Sequence, residues 1–218
     1  MSSHASEIVK SAPSLAYAAN MTTNGYLLDQ ATATRLVGLG VDSYQVSLDG
    51  PKDVHNRTRR RADSGGTFTQ IWRNLLALRD SALDFRLTIR VHFSPDTVLL
   101  MDPLIEDINR EFSEDLRFCV YFKSVERLGG HNDHEIRLFS QRLVDEATQR
   151  LNSKLANPRQ VPSLEVAGPY VCYASKPNSL VVRATGELTT SCVIGMGPCR
   201  GSGWCCDHVC VAGSASVL

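Results

Sequence analysis

SYQVSLDGP, residues 43–51, sets a strand-forming run from Ser43 to Leu48 directly against Asp49, Gly50 and Pro51. Aspartate, glycine and proline in succession stop a strand and turn the chain. A second run of this kind lies upstream, where YAANMTT (17–23) ends at the turn signal Asn24-Gly25. Between the two, Asp29 is placed to cap a helix over 30–39, with Gly40 just past its end. Downstream, 52–66 is rich in Arg, Asp, Ser and Gly and reads as a long connection. Thr67 then opens a helix in which Phe68, Ile71, Trp72, Leu75, Leu78 and Ala82 keep a helical period.

The same alternation continues. In FRLTIRVHF (85–93), Phe85, Leu87, Ile89, Val91 and Phe93 share one face and Arg86, Thr88, Arg90 and His92 the other. Asp102-Pro103 is a cap and first-position pair for a helix with Leu104, Ile105, Ile108 and Phe112 on one stripe. LRFCVYF (116–122) is the next strand. Ile136, Phe139, Leu143, Ala147, Leu151 and Leu155 mark a helix near 135–156, which Asn157-Pro158 ends. Strands alternating with helices predict an α/β fold with a parallel sheet, either a partial barrel or an open sheet, over 15–156. Residues 157–170 read as a linker and 171–218 as a small C-terminal extension. In such sheets ligands gather at the carboxyl ends of the strands, which here means 23–25, 47–50 and 92–96.

Composition narrows the function classes. Lys plus Arg and Asp plus Glu are both 23, so no global basic field invites nucleic acid. No apolar run approaches the ~18 residues of a membrane span. The N-terminus MSSHASEIVK lacks a signal-peptide layout, and the expected compartment is cytoplasmic. The seven cysteines stand out: Cys119, then Cys172, Cys192, Cys199, Cys205, Cys206 and Cys210. Without an export signal, clustered thiols point to metal binding or redox work, with zinc and iron–sulfur as the options. Cys119, inside RFCVYF, reads as a small buried hydrophobe.

Taken in order, Thr23-Asn24-Gly25-Tyr26-Leu27-Leu28, Gly40-Val41-Asp42, Gln45-Val46-Ser47-Leu48-Asp49-Gly50-Pro51, His55-Asn56-Arg57-Thr58-Arg59 and Gly66-Thr67-Phe68 resemble the middle of radical S-adenosylmethionine (SAM) enzymes. The resemblance is to those with a cysteine-rich C-terminal extension, the SPASM class, which includes anaerobic sulfatase-maturating and peptide-modifying enzymes. It covers about 15–192 and implies a partial (β/α) barrel of the radical SAM type. On that likeness Thr23 and Ser47 lie near the methionine moiety of SAM and Asn24 near the strand-end turn. Asp49 and Gly50 shape the loop facing it, and Arg90 meets the SAM carboxylate. The bland alternatives are turn hydrogen bonding for Thr23 and Ser47, a solvated or cross-strand-paired Arg90, and surface or core roles for His55 and His92.

The family holds a catalytic [4Fe-4S] cluster on CxxxCxxC, and its 5′-deoxyadenosyl radical abstracts hydrogen from a peptide or protein substrate. No CxxxCxxC occurs in this sequence, Asn56 stands where Asp is common, and the Gly-Gly-Glu-type motif is missing. The resemblance therefore implies an N-terminally truncated member that does not cleave SAM on its own, with an exposed edge on its first strand. The spacing of Cys172, Gly186 and Cys192 is similar to the opening hairpin of the SPASM extension. That likeness makes Cys172, Cys192, Cys199, Cys205 and Cys210 candidate ligands of an auxiliary [4Fe-4S] cluster. Beyond Cys192 the spacing departs from the family, leaving three readings of the tail: a degenerate cluster site, a loose zinc or iron site, or a non-homologous segment. A non-catalytic remnant and a metal-binding protein are the alternatives to an enzyme.

Overall fold

The computed structural model describes residues 16–127, 133–159, 179–182, 188–189 and 209–214. Four βα units run in order: β1 (Ala16–Thr23), α1 (Gln30–Gly38), β2 (Val41–Leu48), α2 (Lys52–Thr58), α3 (Phe68–Arg79), β3 (Arg86–Phe93), α4 (Asp102–Phe112), β4 (Phe118–Ser124) and α5 (Gln141–Asn152). Three further strands follow: β5 (Ser179–Val182), β6 (Leu188–Thr189) and β7 (Val209–Ser214). The sheet order is β4-β3-β2-β1-β7-β5-β6. β1 to β4 are mutually parallel, while β7 is antiparallel to both β1 and β5, and β5 is antiparallel to β6. The fold is thus α/β, with a four-stranded parallel sheet and a short hairpin joined to it by β7. Among the described residues no helix is long and apolar enough to cross a membrane.

The alternation in β3 sets the two faces. Leu87, Ile89, Val91 and Phe93 are buried with Tyr44, Val46 and Leu48 of β2 and Phe118 and Phe122 of β4. Against them lie Ile71, Leu75 and Leu78 of α3 and Leu104, Ile105, Ile108 and Phe112 of α4. A chain of aromatic contacts crosses this layer from Phe68 through Trp72 and Phe112 to Phe118 and Phe85. Such edge and offset ring contacts add stability beyond the area they bury. The opposite face is polar: Ser43, Gln45 and Ser47 stand in register with Arg86, Thr88 and Arg90. β4 continues the row with Cys119, Tyr121 and Lys123 beside Thr88, Arg90 and His92.

Several elements differ from the sequence expectation. The 52–66 connection contains α2, which follows Pro51 and buries Val54 and His55. Its composition hid it, because two buried residues anchor it and not a periodic stripe. The helix expected near 135–156 begins at Gln141. Before it, Phe139 reaches back to the Phe93 ring, and Ser140 has extended backbone. Asp102 is the first residue of α4, with Met101 at the cap position, and its carboxylate pairs with Lys154. Asp29 caps α1 as expected, accepting Thr32 N–H at 2.8 Å, and Gly40 adopts φ 84° just after the helix.

The edge of β1 expected to be exposed is taken up by β7, from Ala16↔Ser214 to Met21↔Val209. β7 lies in a tail where no strand pattern is legible, because a backbone ladder and not side-chain alternation defines it. A proline inside β7 removes a ladder N–H. Ala212→Pro, opposite Ala18 and Ser179, should uncover the β1 edge and drive self-association. Light scattering on eluting fractions checks this: the variant should elute as larger species, and an unchanged mass would show that β7 does not protect that edge.

Candidate functional site

The carboxyl ends of β1, β2 and β3 form one rim, because parallel neighbours end together. β1 reaches Thr23 opposite Val46, and β2 reaches Leu48 opposite Val91. The two turns beyond them require glycine. Gly25 has φ 76°, and a Cβ there would stand 2.7 Å from Val46 Cγ1. Gly50 has φ 131°, and a Cβ there would meet Val54 Cγ1 at 2.9 Å. Left-handed backbone pressed against a packed valine leaves room only for glycine.

The first turn is tied locally and from below. Thr23 Oγ1 accepts Gly25 N–H at 3.2 Å, and Asn24 Oδ1 accepts Tyr26 N–H at 3.0 Å. The buried Asn74 of α3 donates to the carbonyls of Gly25 and Tyr26, both at 2.9 Å. The register slips between Ala19 and Asn20, so that Thr22 stands opposite Gln45 and Thr23 opposite Val46. A one-residue slip moves every following side chain to the other face. Thr22 therefore shares the polar face with Gln45 and Ser47, and Thr23 stands over the helix-covered side. Ser47 is 2% exposed, and its hydroxyl has no hydrogen-bond partner among the described residues. Arg90, buried at 9% exposure, is directly opposite Ser47.

Asp49 gathers the second turn. Its carboxylate meets Arg59 Nε at 2.9 Å and His92 Nδ1 at 3.1 Å, and accepts the Thr58 hydroxyl at 2.7 Å. Burial alone would raise its pKa. The His92 hydrogen bond, the Arg59 charge and the Thr58 hydroxyl outweigh burial and hold the carboxyl well below the usual carboxylate range. Asp49 N–H donates to His55 Nδ1 at 3.2 Å. That fixes the proton of a neutral His55 on Nε2, which lies 3.0 Å from Thr67 Oγ1; the Thr67 hydroxyl in turn donates to the Arg59 carbonyl at 2.9 Å. Asn56 Oδ1 accepts the N–H groups of Thr67 and Phe68, at 3.0 and 3.1 Å, and so caps α3 from another helix. Gly66 is needed there, since a Cβ would lie 2.5 Å from the Asn56 side chain.

The structure thus brings Asn24, Ser47, Asp49 and Arg90 to one rim, with Thr23 at the same tip. Asn74 and Thr22 carry no sequence signal that marks them as site residues, and the motif 55–59 contains Asn56 and Thr58 without giving their roles. Only the strand register and contacts between distant segments reveal them. Among the described residues no three His, Cys, Asp or Glu side chains gather as metal ligands. Cys119 sits in β4 with Sγ 3.2 Å from Thr88 Oγ1, and burial pushes its thiol pKa up. Cys172, Cys192, Cys199 and Cys205 lie outside the described residues, and Cys210 falls in β7.

No family model and no curated protein matches this chain. Among solved structures it is similar to hexahistidine-tagged anSMEcpe with bound AdoMet, at 20% identity and TM-score 0.39, over 51% of this chain and 28% of that one. Native anSMEcpe with bound AdoMet is 24% identical with TM-score 0.38, over 51% and 29%. The chain spans less than a third of the length of these structures.

Two expectations follow from the site. Asn56→Ala leaves two N–H groups of α3 uncapped and should cost roughly 1–2 kcal/mol in urea unfolding, while Asn56→Asp keeps the acceptor and should cost less. Equal stability of wild type and Asn56→Ala would refute the cap. The second concerns pH. Burial pushes the His55 pKa down to about 4, below its unfolded value of about 6.5. Between these values the unfolded chain binds a proton that the folded chain refuses, so stability falls as pH drops from about 6.5 to 4, by up to roughly 3 kcal/mol. His55→Gln should flatten that loss when unfolding is compared at the two ends of the window.

Proposed function

We propose that the carboxyl rim of β1 to β3 is the nucleoside side of a radical SAM pocket in a protein that acts on a peptide or protein side chain. The observation that carries this reading is the buried Ser47 hydroxyl. It is left without a partner among the described residues, on a polar face, at the strand end where the motif order 23–28, 45–51, 55–59 and 66–68 resembles that family. An unsatisfied buried hydroxyl costs free energy that a ligand acceptor would recover.

The residues present suit SAM. Ser47 donates to it near the methionine moiety, Arg90 supplies positive charge for the methionine carboxylate, and Asn24 lines the first turn. Asp49 holds the second turn in shape through Arg59, Thr58 and His92, and Gly25 and Gly50 let the two turns pack tightly on Val46 and Val54. Bound there, SAM would supply a sulfonium group suited to one-electron chemistry. The described residues do not suit the iron–sulfur cluster that would deliver the electron: the ligand set is absent among them, and the sequence has no CxxxCxxC. The reading is therefore of a chain that binds SAM and needs cluster ligands from elsewhere to cleave it. The candidate auxiliary [4Fe-4S] ligands on the C-terminal cysteines remain part of the reading only through the family resemblance.

Calorimetric titration of the 218-residue chain with SAM tests this. Binding is expected, weakened about fivefold in Ser47→Ala by loss of one hydrogen bond of ~1 kcal/mol. After anaerobic iron and sulfide reconstitution with reductant, SAM should stay intact. Absence of binding overturns the site, and release of 5′-deoxyadenosine overturns the division of labour.

A further inference from the structure

Above the rim lies a cluster of charge that the SAM reading does not use. Residues 57–61 read Arg-Thr-Arg-Arg-Arg in a chain whose net charge is zero. Arg59 is spent on Asp49, and Arg61 on Asp63. Arg57 and Arg60 are exposed, and neither has a carboxylate partner among the described residues; Arg60 Nε donates only to the Asn56 carbonyl at 3.2 Å. From Arg59 to Arg61 the segment is held over the rim and not trailing in solvent, and Arg57 directly precedes it in the last turn of α2. Arg59 is anchored at the tip of β2, Arg60 bridges to Gly66, and the Arg61 guanidinium lies 5.9 Å from the Tyr26 ring centre beside the tip of β1. Leu27, the next residue, is 77% exposed. Guanidinium groups, an aromatic ring and an exposed leucine therefore share one lip.

We infer that this lip, formed by Arg57, Arg60, Arg61, Tyr26 and Leu27, docks an acidic segment of the peptide on which the site acts. The inference rests on the proposed peptide-modifying reading and adds the chemistry of the partner. Charge complementarity selects it: guanidinium forks pair with carboxylates in two parallel bonds, and two of these forks have no carboxylate among the described residues. A peptide fits better than nucleic acid, because the surplus is confined to one short segment of a neutral protein and lines no long basic track. Rim charges of this kind set partner choice and encounter rate more than raw affinity, so binding should be weak and salt-sensitive.

The test uses fluorescence anisotropy with the full chain and a fluorescein-labelled peptide of alternating Glu and Leu. A Lys-for-Glu counterpart and a single-stranded RNA of equal charge serve as competitors. The acidic peptide should bind at low salt and weaken at high salt. Arg57→Glu with Arg60→Glu should weaken it about tenfold, and the milder Arg57→Gln with Arg60→Gln about threefold, with SAM titration unchanged in both. Equal binding of acidic and basic peptides, no loss in either variant, or tighter arginine-dependent binding of the RNA would overturn the inference. Loss of SAM binding in the wild-type chain while the peptide still docks would sink the site reading and leave the acidic preference of the lip standing.

Discussion

Asp49 is a carboxylate whose side chain is only 17% exposed, and a charge so placed has to be compensated at close range. Three groups do this from three places: His92 at the end of β3, Thr58 at the end of α2, and Arg59 just beyond it. Removing one partner of such a set leaves a charge stranded away from water. The consequence is architectural. The β2 turn, the short α2 helix and the β3 tip can hold their places only together, and α2 in turn carries Asn56, which caps α3. A single compensated charge thereby fixes the rim from β2 to the start of the helix packed beneath it.

The rim inherits its two-sidedness from the sheet. One face is covered by apolar side chains of α3 and α4, and the hydrophobic effect is sufficient reason for it. The other face has no such reason. Ser47 and Arg90 are buried on it, and the row continues with Thr88 and Gln45. A polar lining under little solvent costs stability unless every group is satisfied, and the Ser47 hydroxyl is not, among the described residues. Departures of this kind from the otherwise consistent apolar patterning mark places where stability has been yielded to something else.

Much of this is legible in sequence where the information is local. β3 announces both faces through strict alternation, and Asp29 and Gly40 bound α1 by their own backbone preferences. The Asp-Gly turn marks the end of β2. What stays hidden depends on partners distant in the chain. Asn56 caps Thr67 from 11 residues away, and Asn74 ties the Gly25 turn from 49 away; neither spacing belongs to a helix or strand period. The register slip after Ala19 is also invisible to pattern reading, because it is a property of two strands together. That slip bears directly on the site. Equating the two strand tips pairs Thr23 with Ser47, whereas the register gives Thr22 the face that Ser47 and Gln45 occupy.

The same logic separates what the Thr-Asn-Gly turn does from what it presents. Thr23 and Asn24 each lend a side-chain oxygen to a backbone N–H two residues on, which is what such residues do in turns of any protein. Their acceptors are therefore engaged in shaping the loop. On β2 the division is the reverse: Asp49 does the shaping and the Ser47 hydroxyl has no partner among the described residues. The rim thus presents one preformed backbone turn on β1 and, among the described residues, one unpartnered hydroxyl on β2. The glycines at 25 and 50 serve the turns themselves, since a Cβ at either would press into the apolar layer, on Val46 and Ile71 at the first and on Val54 and Met101 at the second.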